Sequence, residues 1–146
     1  MERGQGWQKI TNAEFDEGVQ LDHFHFSFRD QVIRYEQPYQ GDYVSVAQAA
    51  SIVDLFDDAS EVMFAKSTDE PNTFSFHWLM INEWRMWSAH HDGEIIRITV
   101  VRKSGPSHSI YIVMDDWFLV DVDDSGYYRC DQMEGLANLI RDMNEK

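Results

Sequence analysis

The sequence has little of what usually announces a chemistry. One cysteine, Cys130, stands among 146 residues, so no internal disulfide can form. A reducing compartment is the simplest setting for such a chain. There is no glycine-rich phosphate loop, no GxSxG, no HExxH and no cysteine pair, which removes the sequence signatures of nucleotide binding, serine hydrolysis and zinc proteolysis. Basic residues are scarce: 12 Lys and Arg stand against 26 Asp and Glu, a formal net charge of −14. A surface of that sign repels phosphate backbones, and the densest basic run, "VRKSG" (Val101 to Gly105), is too short to offset it. Direct nucleic-acid binding is therefore not expected. No hydrophobic stretch approaches the length of a membrane span, and the opening "MERGQGWQKITNAEF" has no apolar signal core. The expectation is a soluble, cytoplasmic protein with no membrane partner.

Apolar and aromatic residues are abundant. Hydrophobic residues make up 43%, with five Trp, nine Phe and six Tyr, enough to offset the ordering entropy of one ordinary domain spanning residues 1–146. Thr11 to Glu14 reads as a capping box opening a short helix that stops near Gly18. "HFHFSF" alternates, with Phe24, Phe26 and Phe28 on one side and His23, His25 and Ser27 on the other, as in a strand buried on one face. "QVIRYEQ" extends or pairs back on it and stops at Pro38. Ser45 and Gln48 form a second capping box, followed by the stripe Ala49, Ile52, Val53 and Phe56, with Asp57 and Asp58 at the boundary.

Strands dominate the middle. "EVMFA" is short, while "TFSFHWLMI" is apolar on both sides and reads as a central strand. "EWRMWSAH" and "EIIRITVVR" flank Asp92-Gly93, a hairpin signal. Gly105-Pro106 turns the chain, and "HSIYIVM" pairs with "WFLVDV" across Asp115-Asp116. The fold class expected is α+β: a single antiparallel meander of about six strands, with two main helices and a short N-terminal helix packed on it.

One stretch comes close to a chemical motif. "DVDDSGYYRCDQ" (Asp121 to Gln132) spaces Asp121, Asp123 and Ser125 as calcium ligands, with Gly126 at the bend. A calcium loop of that kind needs flanking helices and a bidentate Glu at its last position. Here the entering segment is strand-like, Arg129 occupies a ligand position, and Gln132 is neutral. The stretch instead reads as strand, turn "DDSG" and return strand. Asp131 then caps a closing helix with Glu134 three residues on, and Met133, Leu136, Ala137, Ile140 and Met143 form its apolar stripe.

Other candidate chemistry is sparse. His23, His25 and His77 could converge on zinc, but alternate strand positions more often form a solvated face, and no metal or cofactor is expected. His90 and His91 would point to opposite faces of a strand. Cys130 precedes a helix N-terminus, which lowers a thiol pKa, yet Asp131 and Glu134 oppose the thiolate and no base is placed for it. The acid runs remain. Asp115, Asp116, Asp123 and Asp124 lie at turns, with Trp117, Tyr127 and Tyr128 beside them. Acid with aromatic at loop tips suits a basic protein partner. The functional expectation is a small binding protein without catalytic activity, of the inhibitor, immunity-protein or nucleic-acid-mimic kind, binding through these seven residues. The alternative is a small enzyme or ligand-binding domain using the histidine face or Cys130.

Overall fold

The computed structural model describes residues 6–19, 24–113 and 117–144. The chain begins with β1 (Trp7–Ile10) and α1 (Asn12–Val19), then the hairpin of β2 (Phe24–Ser27) and β3 (Val32–Tyr35). A two-residue β4 (Val44–Ser45) leads into α2 (Val46–Val53). After β5 (Ala59–Ser67) and β6 (Thr73–Met80) comes α3 (Ile81–His90). The run β7 (Glu94–Arg102), β8 (His108–Val113), β9 (Trp117–Val122) and β10 (Gly126–Asp131) precedes α4 (Gln132–Asn144).

The fold is α+β, as expected, but its antiparallel sheet has ten strands among the described residues, in the order β1-β10-β9-β8-β7-β5-β6-β3-β2 with β4 beside β7. The additional strands have local causes. β1 and β4 are too short to show periodicity, and the Phe24 to Tyr35 run folds back on itself at a turn rather than continuing. "EVMFA" proves to be the middle of a nine-residue strand, β5, paired on both sides by β6 and β7.

Both capping boxes form. Thr11 Oγ1 accepts the Glu14 amide at 3.2 Å while Glu14 Oε1 accepts the Thr11 amide at 3.1 Å. At α2, Ser45 Oγ accepts the Gln48 amide at 3.1 Å and Gln48 Oε1 accepts the Ser45 amide at 2.8 Å. Each box satisfies two N–H groups that the first helical turn leaves free. Ser45→Ala is expected to cost about 1 kcal/mol, read as a lower urea midpoint at unchanged slope; an unchanged midpoint would show that the cap contributes nothing. The helix ends at Val53 with Asp54 as its C-cap. That frees Asp58 to bind Arg102 Nε at 2.8 Å.

Two sequence expectations fail at helix ends. "EWRMWSAH" is not a strand hairpinned to β7 but most of α3, and Glu83 accepts the Met80 amide at 3.0 Å to start it. Trp84, Trp87 and His91 recur at helical spacing and stack in series, with centroid separations of 5.9 and 4.5 Å. His90 and His91 therefore belong to a helix C-terminus rather than to the two faces of a strand. Asp131 likewise does not cap α4. It is the last residue of β10, its amide donates to Gly6 O at 2.6 Å, and its carboxylate lies 3.8 Å from Arg129 Nε. The turn into the helix is made by Gln132, at φ 53°. Gly6 and Gly135 touch there so closely that a Cβ on Gly135 would overlap the Gly6 carbonyl.

The two sheet faces differ. On one, α2, α3 and α4 bury Val62, Phe64, Ile98, Val100, Ile110 and Val120 in the main core. On the other, α1 covers only part of the sheet, packing Phe15 and Val19 on Val113 and Leu119. β6 consequently has paired neighbours on both edges yet is not buried on both faces: Trp78 is 65% exposed and Met80 is also exposed. No helix among the described residues is long and apolar enough to cross a membrane.

Candidate functional site

The acidic stretch is a tight hairpin. Val122 pairs with Gly126, the Ser125 amide donates to Val122 O at 3.0 Å, and Asp124 (φ 63°) and Gly126 (φ 112°) take left-handed conformations. Such φ values favour Gly and tolerate Asp, which is why the turn falls at "DDSG". Strands, not helices, flank it. Tyr128 Oη donates to Ser125 O at 3.1 Å and ties the turn to the sheet. Asp123 and Asp124 are exposed at its tip. Asp121, half-buried on β9, has its carboxyl pushed above the usual range by burial, then by the charge of Asp123, with Arg97 opposing.

The aromatic residues expected beside these acids do not join them. Trp117 opens β9 opposite Val113, whereas Asp123 follows its other end, where Val122 pairs with His108. Successive turns of a meander lie at opposite ends of the sheet, so Trp117 and the acidic tip are a whole strand apart. Its ring carries the Arg129 guanidinium at 4.2 Å. Tyr127 and Tyr128 point to opposite faces, as neighbours on a strand must. Tyr127 packs against Phe15 with centroids 4.4 Å apart, and Tyr128 is 7% exposed in the main core, edge-on to Trp7. Asp115 and Asp116 lie outside the described residues.

The groups of the enzymatic alternative are placed just as plainly. Cys130 is fully buried, and burial, with the Asp131 charge adding to it, pushes its thiol up to about 12. It is not a thiolate at neutral pH. His25 is exposed and bonded to Glu36. His77 stacks on Phe64 at 4.8 Å and hydrogen-bonds Ser75 Oγ at 2.8 Å. Burial first, then the charges of Lys66 and His91, hold His77 below the ordinary imidazole range. His25 and His77 share a sheet face but do not converge: His25 sits level with Arg34 and Thr73, four residues along β6 from His77. His23 lies outside the described residues. Among the described residues, no group of three His, Cys, Asp or Glu is placed to hold a metal ion.

What the sequence reading missed is the half of the second face that α1 leaves uncovered. From the edge of the α1-covered part across to it, the register aligns Asp121, Ser109, Thr99, Met63 and Trp78 in one row, with Thr99 buried and Trp78 exposed. Asp121 and Trp78 are four strand spacings apart, roughly 19 Å. Glu61 accepts a hydrogen bond from the Trp78 indole N–H. Phe28, 87% exposed, continues the aromatic surface beyond Trp78, next to Phe26 and Phe76. The alternation of Phe74, Phe76, Trp78 and Met80 was visible in the sequence. What was not visible is that no helix among the described residues covers its far end. Comparison of this chain with protein-family models, with curated proteins and with solved structures finds no match.

Proposed function

We propose that this protein is a non-catalytic binding protein whose partner is a basic protein, docked on the uncovered sheet face. The observation that carries the reading is the row across that face. Asp121 at one side and the Trp78–Glu61 pair at the other bring acid and a large exposed aromatic onto one surface. Trp is a typical interface anchor, and the acid rim supplies complementarity. The charge is also free to act outward. Among the described residues, only Glu36, Asp58 and Asp131 of the acidic side chains are in ion pairs. The acidic turn keeps its role from the sequence reading as a steering element, with Asp123 and Asp124 at the rim rather than at the centre. An intracellular, reducing setting agrees with the single buried cysteine.

The test starts from a partner captured from lysate at low salt and eluted at high salt, then purified for kinetics. Trp78→Ala is expected to weaken binding at least about tenfold, chiefly through faster dissociation. Asp123→Asn with Asp124→Asn should slow association and flatten its salt dependence. The control is Asp16→Asn with Glu17→Gln on α1, equal in charge change but on the covering helix. Equal effects of the two double variants, or a Trp78→Ala affinity matching wild type, would overturn the reading.

A further inference from the structure

The same face contains a built pocket, which shares Met63 and Trp78 with the docking surface but is centred on Arg97, a residue the basic-partner reading does not use. Strand β7 bulges where it passes β5: Ala65 pairs with Arg97 and Lys66 with Ile95, leaving Ile96 as the extra residue. A bulge re-aims side chains, and here it turns two consecutive residues to one face. Ile96 packs with Ile33, Ala65 and Phe74, while the Arg97 guanidinium lies over the Tyr111 ring, 5.0 Å from its centroid. Arg97 Nε is sealed from solvent and has no hydrogen-bond partner. No described carboxylate lies within ion-pair distance of the guanidinium, and Asp121 acts on it only from farther off. An oxygen the size of water cannot reach that sealed Nε, so an acceptor from outside would meet the guanidinium at its terminal nitrogens, which form no hydrogen bond among the described residues and face the hollows that Arg97 lines.

Two hollows meet at this side chain. One is a cavity of about 140 Å³ bounded by Val19, Phe24, Tyr35, Tyr39 and Tyr111. The other is an open groove of about 500 Å³ along Phe24, Phe26, Met63, Phe76 and Trp78. Arg97 and Phe24 line both. The Tyr39 hydroxyl is committed to the Ile112 carbonyl at 3.0 Å. Burial keeps Tyr35 and Tyr111 protonated, so both phenols remain neutral donors beside the guanidinium. One cation and neutral donors suit a monoanion with two oxygens, since a planar guanidinium matches a carboxylate bidentately. A dianion would want a second cation, and the lining of the two hollows holds none besides Arg97.

We propose that this cleft binds a small amphipathic monocarboxylate, with its two oxygens on Arg97 and its apolar chain along Phe24, Phe26 and Phe76. The assignment does not rest on a protein partner, although its groove shares Met63 and Trp78 with the docking face, and it is tested without one. Octanoate is titrated into the full-length protein and followed by the Arg97 Nε–H signal in proton–nitrogen NMR. The expected result is saturable binding that shifts this signal, with 1-octanol binding at least about tenfold more weakly for lack of the charge. Arg97→Gln should remove that preference and leave octanol binding as it was, while Tyr35→Phe should weaken octanoate a few-fold. Should Arg97→Gln fail to fold, the wild-type comparison of octanoate with octanol still decides the matter. Absence of saturable octanoate binding, equal affinity for octanol, or tighter binding of octyl phosphate than of octanoate would each overturn the assignment.

Discussion

Replacing Trp84 by alanine is expected to cost the fold about 3–5 kcal/mol, the usual range for emptying a buried indole site. Trp84 is 1% exposed on α3, with its ring 5.0 Å from Phe64 and 5.9 Å from Trp87. Phe64 lies on β5, which is paired on both edges, so the neighbours cannot collapse into the space without disturbing the sheet. Trp84→Phe should retain part of this packing and cost less. Urea denaturation of the three proteins gives the comparison, with a common slope confirming that the change is in stability rather than compactness. A loss below about 1 kcal/mol would show that α3 does not pack through this residue.

That segment shows where sequence pattern misleads. Trp, Met and aromatic content in "EWRMWSAH" favours a strand by composition, and the Asp-Gly after it completes a hairpin signature. The helical spacing of Trp84, Trp87 and His91 carried the opposite message. Asn82 and Glu83 ahead of them belong to a first helical turn, where an acidic residue meets free N–H groups and the positive end of the helix dipole. By contrast, the boxes at Thr11 and Ser45 were legible because a cap is a local arrangement, set by side chains three residues apart. The β9–β10 turn was legible for the same reason. Asp131 resembled a cap locally, but the close approach of Gly6 and Gly135 places the strand end there, and only the tertiary fold specifies that contact.

The candidate sites divide on the same line. Acidic and aromatic character can be read from residues, but which face each occupies depends on register and on what covers it. The sequence predicts one surface for Tyr127 and Tyr128, which lie on two. The pattern predicts a core position for Trp78, which is exposed because α1, the helix on that face, packs on β8, β9 and β10 rather than on β6. Arg97 gave no signal at all. In "EIIRITVVR" it is an ordinary polar residue in alternation, and only the bulge at Ile96 brings it into a cleft ringed by tyrosines.

His108 is expected to make the protein lose stability in mild acid. It is fully buried, edge-on to Phe56 at 5.0 Å, and its Nδ1–H donates to the Pro106 carbonyl at 3.1 Å, while Nε2 is buried without a partner. The charged groups that act on it are Arg102 and Asp58, which are bonded to each other. Burial is the dominant cause that lowers its pKa to about 4 from the ordinary 6.5, with the Arg102 charge adding and the Pro106 bond and Asp58 opposing. The sign follows from linkage. Above 6.5 the imidazole is neutral in both folded and unfolded chains, and its contribution is complete. Between 6.5 and about 4 only the unfolded chain takes up the proton, so each unit of falling pH favours unfolding. Over that window the loss approaches about 3 kcal/mol at roughly 1.4 kcal/mol per pKa unit. His108→Asn keeps a donor near the Nδ1 position and removes the titration. It should therefore be less stable than wild type at neutral pH because of its smaller volume, and the gap should narrow or close near pH 4. Carboxylates such as Asp121 titrate in both proteins and cancel in the difference. A gap that stays constant from neutral pH to pH 4, or an imidazole proton signal of His108 titrating near 6.5, would show that the ring is hydrated rather than sealed behind Phe56.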